Sequence, residues 1–186
     1  REICNRYGLY LYLDGARLAS ALTAPGNDVT LEDLGRLTDA FYIGGTKNGM
    51  LFGEAIVILN ERLKEDFRYL IKQKGGLLAK GRLLGVQFKA AFETDLYFEM
   101  GRHANRMATL LRDGIRDLGY DFLVDSPTNQ LFPVFPNELA DKLSKECSFE
   151  EEGPTDTDHR SIRFVTSWAT PEEDVRKLLD VIRQLG

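Results

Sequence analysis

The 186-residue sequence is poor in cysteine, histidine and tryptophan, with two, two and one of them. Cys4 and Cys147 lie far apart and belong to no metal-ligand pattern, which argues against a zinc site or a disulfide framework. No apolar run reaches membrane-spanning length, and nothing resembles a secretion signal. A net charge of -5 argues against nucleic acid as the main partner. We therefore expect an ordinary globular protein of the cytoplasm, with no metal site and no membrane contact.

Apolar strands and amphipathic helices alternate along the chain, which predicts an α/β fold. The predicted strands cover residues 9–13, 39–43, 55–59, 120–124, 130–135 and 161–166. The main predicted helices cover residues 60–72, 77–118, 137–145 and 171–185, and another begins at Thr30. The polar segment 150–156 predicts a loop. We expect part of a large domain with a mostly parallel sheet at 1–100 and a small α+β domain at 101–186.

Helix caps are predicted at three places. Thr30 with Asp33 has the spacing of a capping box. Asn137 is predicted to cap the helix that follows it, and Thr170 to cap a helix whose first residue is Pro171.

Two short motifs each follow an apolar run. Asp14-Gly15-Ala16-Arg17 comes after residues 9–13, and Gly44-Gly45-Thr46-Lys47-Asn48-Gly49 comes after residues 40–43. Ligands of open α/β sheets bind at the carboxyl ends of strands, where both motifs lie. This pair suits pyridoxal 5'-phosphate (PLP), because a lysine can form a Schiff base with its aldehyde and a carboxylate can keep its ring nitrogen protonated.

Each of these residues also has a plainer interpretation. Asp-Gly is a common turn dipeptide, Lys-Asn-Gly suits a hairpin, and Arg17 suits a surface ion pair. The PLP interpretation of Lys47 explains more, because glycines let the backbone pass close to a bulky cofactor and Thr46 offers a hydroxyl beside it. The spacing of a nucleotide-binding P-loop is absent.

Two further basic positions are candidates for anion binding. Segment 75–82 opens a predicted helix with Lys80 and Arg82, which suits either an anion site or a solvated loop. In the strand at 161–166, alternation places Arg163 on the face opposite Ile162 and Phe164. Arg163 can point to solvent or bind a carboxylate, and the spacing does not decide between the two.

The two motifs, followed near the C-terminus by Arg163-Phe164-Val165-Thr166, resemble the threonine aldolase and β-eliminating lyase group of fold-type-I PLP enzymes. The glycine-threonine form of the lysine turn is similar to that of the low-specificity L-threonine aldolases. The resemblance implies that Lys47 is the Schiff-base lysine and that Asp14 holds the ring nitrogen. It also implies that Arg17 and Arg163 bind the substrate carboxylate.

The resemblance implies further contacts with the cofactor. Arg17 and Thr46 are expected beside PLP, and either Lys80 or Arg82 is expected to reach its phosphate. The family's N-terminal portion, which supplies a phosphate cradle and a ring-stacking side chain, has no counterpart in this sequence. We therefore expect the C-terminal part of a homo-oligomeric enzyme, a dimer or tetramer, which on its own binds PLP poorly and has an open strand edge at 9–13.

The expected reaction is cleavage of the Cα–Cβ bond of a β-hydroxy-α-amino acid, which would convert threonine to glycine and acetaldehyde. Another reaction of the same scaffold, β-elimination or transamination, remains an alternative, because a fold does not fix the chemistry. A non-catalytic fragment that retains only the fold is a third alternative.

Overall fold

A computed structural model describes all residues 1–186 and divides the chain into two compact units. The first unit contains Arg1–Leu22 and Gly26–Glu99, and the second contains Thr23–Pro25 and Met100–Gly186. None of the helices combines the length and the apolar character needed to span a membrane.

The first unit has a three-stranded sheet with helices around it. Its strands are β1 (Tyr12–Leu13), β2 (Ala40–Gly44) and β3 (Glu54–Ile58), in the order β1-β2-β3. Its helices are α1 (Glu2–Arg6), α2 (Leu18–Leu22), α3 (Leu31–Leu37), α4 (Phe67–Gln73) and α5 (Arg82–Glu93), with a 3-10 turn at Glu61–Leu63. The pair β1–β2 is parallel, as expected, whereas β3 runs antiparallel to β2.

The first strand is shorter and more exposed than the sequence predicts. The expected strand at 9–13 is reduced to Tyr12–Leu13, and Leu9, Tyr10 and Tyr12 are 58%, 56% and 57% exposed. Parallel strands with continuous apolar runs are usually buried on both faces, but β1 is an edge strand that pairs only with β2. In this chain the edge of β1 is therefore open to water, in agreement with the open edge predicted at 9–13.

Local backbone chemistry divides two predicted helices. The helix expected at 60–72 is interrupted at Asp66, which adopts a left-handed conformation with φ of 52°. The helix expected at 77–118 is two helices, α5 and α6 (Leu96–Asp117), separated at an extended Thr94. The Thr94 hydroxyl accepts a hydrogen bond from the Leu96 amide at 3.3 Å, which favours a new helix start over continuation. The capping box of Thr30 and Asp33 is confirmed.

The second unit is an antiparallel sheet packed against helices. Its strands are β4 (Gln130–Leu131), β5 (Val134–Pro136), β6 (Glu150–Pro154) and β7 (His159–Val165), and β7 pairs with the other three. Most of α6, α7 (Asn137–Leu143) and α8 (Glu172–Leu185) also belong to this unit. Its fully buried centre includes Ile115, Leu131, Phe135, Ile162 and Ile182. Residues 120–124, expected as a strand, form only an isolated bridge from Phe122 to Pro133.

The acidic segment expected as a loop at 150–156 is largely strand β6. Its backbone pairs with β7, and its glutamates meet arginines of that strand. Glu151 lies 3.4 Å from Arg160, and Glu152 lies 3.3 Å from Arg163. A polar sequence is compatible with this strand because opposite charges on paired strands attract and the side chains remain near solvent.

Two predicted helix caps are wrong by one position. Helix α7 begins at Asn137 itself, whose side chain instead donates to the Thr157 carbonyl at 3.1 Å. Helix α8 begins after Pro171, and the Thr170 hydroxyl accepts from the Ser167 amide at 2.8 Å. The Asn137 side chain therefore contacts the turn between β6 and β7, whereas the Thr170 side chain contacts the loop before α8.

Candidate active site

The register of β1 on β2 brings the two sequence motifs together in the first unit. Tyr12 pairs with Ala40 and Leu13 with Phe41, so Asp14 leaves β1 beside Tyr42. Neighbours in parallel strands project to the same face of the sheet, which places the carboxylate next to the tyrosine side chain.

Two glycines allow the backbones of the two motifs to touch. The Gly44 amide donates to the Gly15 carbonyl at 2.9 Å. A Cβ atom on Gly15 would lie 1.7 Å from the Tyr42 carbonyl oxygen, and one on Gly44 would lie 2.4 Å from the Ala16 carbonyl oxygen. Any larger residue would force these loops apart, so the glycines hold Asp14 beside the segment that leads to Lys47.

Asp14 is an exposed carboxylate with one oxygen already engaged. Its Oδ1 accepts hydrogen bonds from the Tyr42 hydroxyl and from the Ala16 amide, the latter at 3.0 Å. The Tyr42 hydrogen bond, the Ala16 amide and the positive charge of Lys47 together lower the Asp14 pKa. Oδ2 has no hydrogen-bond partner in the chain. Asp14 is therefore an ionised acceptor with one oxygen available to a ligand.

The Lys47 side chain is exposed, in a turn that is held by hydrogen bonds. The Gly45 carbonyl accepts from the amides of Asn48 and Met50 at 2.9 and 3.1 Å, and the Gly45 amide donates to the Glu54 carboxylate at 2.7 Å. The Lys47 amine forms no hydrogen bond or ion pair. A fixed backbone with an unengaged amine is suited to covalent attachment of an aldehyde.

Two buried side chains, Asn48 and Tyr97, hold the same turn in place by hydrogen bonds. The Asn48 amide side chain donates to the Tyr97 carbonyl at 3.1 Å, and the Tyr97 hydroxyl donates to the Gly44 carbonyl at 3.1 Å. Tyr97 is fully buried, and burial raises the pKa of its hydroxyl. The hydroxyl therefore stays protonated and continues to donate to the turn.

The other candidate residues of the first unit are half-buried or exposed. Arg17 is half-buried, three residues after Asp14 and next to the start of α2, and Thr46 is exposed beside Lys47. Lys80 and Arg82 are exposed and form no hydrogen bond or ion pair. They line an open recess of about 570 Å³ at the start of α5. Asp14 and Lys47 are therefore close enough for their charges to interact, whereas neither Lys80 nor Arg82 contacts them.

Arg163 belongs to the second unit, on β7. One of its guanidinium nitrogens lies 3.3 Å from a Glu152 carboxylate oxygen, and its Nε is buried without a hydrogen-bond partner. It lines a recess of about 200 Å³ together with Thr166, Thr170 and Asp174. The guanidinium therefore retains donors that its own unit does not use.

Sequence reasoning missed Tyr42, Glu54 and Tyr97, which support the two motifs. Tyr42 holds the Asp14 carboxylate, Glu54 accepts from the Gly45 amide, and Tyr97 donates to the Gly44 carbonyl. Of the three, only Tyr42 could have been found from the sequence. If the two apolar runs that precede the motifs pair as parallel strands, Tyr42 lies beside Asp14. Tyr97 is too distant in sequence for its contact to be found without the fold.

Residues 1–137 match the profile of the family described as beta-eliminating lyase. The chain belongs to this family. The match includes both motifs, and the family is PLP-dependent. It ends before β7, so it does not include Arg163.

Named relatives point in the same direction. The chain is 34% identical to a low specificity L-threonine aldolase of Pseudomonas aeruginosa over 192 aligned residues, which cover 97% of the chain and 51% of that protein. It is 47% identical to the solved threonine aldolase of Leishmania major, with a TM-score of 0.94 over 98% of the chain and 53% of that structure. The chain thus spans about half the length of the curated relatives it matches.

A more distant solved structure shows the fold alone. The serine palmitoyltransferase of Sphingomonas wittichii is 13% identical, with a TM-score of 0.69 over 100% of the chain and 49% of that structure. The fold class expected from the sequence, part of a fold-type-I α/β domain, is confirmed by the structural neighbours.

The residues of the first unit fit PLP chemically. The unpaired amine of Lys47 can attach to an aldehyde, and the free Oδ2 of Asp14 can accept a hydrogen bond from a protonated ring nitrogen. Lys47 also lies close enough to Asp14 for its charge to lower the Asp14 pKa. Both groups therefore suit the two ends of one small aromatic aldehyde.

Proposed function

We propose that this chain is the C-terminal part of a PLP-dependent lyase that cleaves the Cα–Cβ bond of a β-hydroxy-α-amino acid. Threonine would be converted to glycine and acetaldehyde. The observation that carries the proposal is the Gly15–Gly44 backbone contact, because it holds a free lysine amine and a half-engaged carboxylate on neighbouring loops. The similarity to named threonine aldolases supports the choice of reaction.

In this proposal two residues hold the cofactor through its reactive groups. The Lys47 amine would hold the cofactor covalently through its aldehyde group. Asp14 holds a proton at the ring nitrogen. When bound, PLP supplies a sink for the electron pair released as the Cα–Cβ bond breaks. An ionised Asp14 favours this reaction because a positively charged ring accepts electrons more readily.

Arginines are proposed to orient the substrate. Arg163 has donors left after its contact with Glu152, and a guanidinium can bind a carboxylate through two parallel hydrogen bonds. Arg17 is proposed to assist it, on the strength of the motif resemblance. Binding the α-carboxylate would fix the Cα–Cβ bond in one orientation.

The remaining proposals concern the outer contacts of the cofactor and the assembly and location of the protein. Thr46 is proposed to lie beside PLP, and Lys80 or Arg82 to approach its phosphate. A homo-oligomer, dimer or tetramer, and a cytoplasmic location are proposed as well. Since Asp14 and Lys47 are both exposed in this chain, we also propose that residues beyond it cover the cofactor and that the chain alone binds PLP poorly.

Product analysis distinguishes this reaction from its alternatives. The full-length, PLP-loaded protein that contains this chain is incubated with L-threonine and, separately, with L-serine. We expect glycine and acetaldehyde from threonine. Pyruvate from serine without acetaldehyde from threonine would indicate β-elimination, and a requirement for a keto acid would indicate transamination. No product under any condition, with PLP bound, would favour a non-catalytic protein.

A further inference from the structure

We propose that Tyr42 is the positioning residue for Asp14: its hydroxyl engages one carboxylate oxygen and leaves the other directed to the ring nitrogen of the cofactor. This inference rests on the proposed function. It assigns a role to a residue that none of the sequence motifs contains.

The hydrogen-bond pattern at Asp14 is asymmetric. Both donors of the chain, the Tyr42 hydroxyl and the Ala16 amide, use Oδ1. A carboxylate held at one oxygen by two donors has a defined orientation, and its second oxygen then faces a fixed direction. Without the hydroxyl, only the Ala16 amide at 3.0 Å would restrain the side chain.

The tyrosine is itself held in place. Its ring stacks on that of Tyr12 with centroids 6.3 Å apart and an interplanar angle of 30°. Its backbone lies against Gly15, where no side chain would fit. Because Tyr12 and Asp14 are two residues apart at the end of β1, they share a face, and Tyr42 contacts both.

The charges around the pair keep the hydrogen bond in one protonation state. The carboxylate of Asp14 raises the pKa of Tyr42 to about 12, with smaller contributions from burial, Glu54 and Tyr12. The hydroxyl is therefore protonated at every pH at which an enzyme of this kind works. Besides the Tyr42 hydrogen bond, the positive charge of Lys47 lowers the pKa of Asp14, so the carboxylate stays ionised as the acceptor of this hydrogen bond.

The chemical consequence concerns the proton between Asp14 and the ring nitrogen. A carboxylate that accepts hydrogen bonds has a lower proton affinity. Tyr42 therefore favours the arrangement in which this proton stays on the ring nitrogen and Asp14 stays ionised. Loss of the hydroxyl would move the balance toward a neutral ring.

The test begins on cofactor-free protein, in which the Asp14 carboxyl is titrated by carbon-detected NMR. Tyr42→Phe keeps the ring and removes the hydroxyl, and we expect the Asp14 pKa to rise toward that of an ordinary aspartate. Tyr12→Phe is the matched control, because its ring stacks on Tyr42 but its hydroxyl does not contact Asp14. An unchanged Asp14 pKa in Tyr42→Phe, or an equal rise in Tyr12→Phe, would overturn the proposal.

A reciprocal variant covers the case in which Tyr42→Phe does not fold. In Asp14→Asn the tyrosine loses its ionic acceptor, and we expect the Tyr42 pKa to fall from about 12 toward the ordinary value of about 10. A Tyr42 pKa that stays near 12 would show that the two groups are not coupled, which contradicts the proposal.

The PLP-loaded protein supplies the last measurement. We expect Tyr42→Phe to lower kcat about tenfold with little change in KM, and to move the pH dependence of the cofactor's absorbance, while Tyr12→Phe leaves both unchanged. Equal kcat in Tyr42→Phe and the parent would contradict the positioning role. If the full-length protein that contains this chain does not bind PLP at all, the proposed function fails, and the cofactor-free titrations still report on the pair.

Discussion

The backbone amide of Gly44 donates a hydrogen bond to the carbonyl of Gly15 at 2.9 Å, which joins the loop of the carboxylate to the loop of the lysine. The contact depends on the missing side chains of both residues, since Cβ atoms there would lie 1.7 Å and 2.4 Å from backbone oxygens. The motif glycines are therefore explained by close packing of two chain segments.

Gly15→Ala is expected to force these loops apart. Its Cβ would collide with a backbone carbonyl that cannot rotate away, so we expect a loss of about 1–3 kcal/mol of unfolding free energy, the usual cost of overpacking. Gly35→Ala is the matched control, because that position in α3 is open and alanine favours helix by about 0.5–1 kcal/mol. Urea unfolding measures both. Equal stability of the two variants would contradict the packing argument.

The features predicted correctly from the sequence have local causes. The capping box of Thr30 and Asp33 involves residues three apart, and the face alternation of Ile162 and Phe164 against Arg163 follows from strand geometry alone. Helices also follow from local periodicity, which is why α7 and α8 lie within a residue or two of their expected positions.

The features that were predicted wrongly depend on partners distant in sequence. The acidic sequence of β6 predicts a loop, and the strand is stabilised by ion pairs with Arg160 and Arg163 of β7. The break at Thr94 is an exception with a local cause, because the Leu96 amide donates to the Thr94 hydroxyl and this bond competes with helix continuation. At the site, the motifs indicate Asp14 and Lys47, but the support from Tyr97 depends on a contact between distant segments.

Asp14→Asn is expected to retain PLP and lose turnover. The amide keeps the shape of the carboxylate but cannot hold a proton on the ring nitrogen, so the ring becomes a poor electron sink. We expect kcat to fall by about a hundredfold or more, with the cofactor's absorbance still present. Asp28→Asn, at an exposed aspartate without hydrogen-bond partners, is the control. An unchanged kcat in Asp14→Asn would rule out the role of Asp14.

Arg163→Lys is expected to weaken substrate binding. The lysine keeps the charge but loses the planar pair of donors, so KM for amino acids should rise about tenfold or more, with the cofactor's absorbance unchanged. Arg183→Lys, at an exposed arginine paired with Asp180, should leave KM unchanged. If amines that lack a carboxylate lose as much as amino acids do, Arg163 does not bind the carboxylate.

The buried Asp39 is expected to make stability depend on pH. It accepts from Arg1 at 2.6 Å, from Asn60 at 2.8 Å and from the Leu11 amide at 2.8 Å, and these bonds lower its pKa to about 2. An unfolded aspartate titrates near about 3.9, so the stabilisation is complete above that pH and is lost as the pH falls through about 2.

Asp39→Asn tests this dependence by urea unfolding at several pH values. We expect the variant to be less stable than the parent at pH 7, and the difference to shrink as the pH is lowered from about 4 to about 2. Asp28→Asn should show no such trend. A stability difference that is constant from neutral to acid pH would mean that the charge of Asp39 does not stabilise the fold.

Trapping the cofactor on its lysine tests the central claim most directly. The full-length, PLP-loaded protein that contains this chain is reduced with borohydride, digested and analysed by mass spectrometry, with Lys47→Arg treated in parallel. We expect one pyridoxyl-phosphate adduct, on Lys47, and none in the variant, because the Lys47 amine is unpaired beside Asp14. A stoichiometric adduct on Lys80 or any other lysine, or equal labelling of the Lys47→Arg protein, would contradict the account.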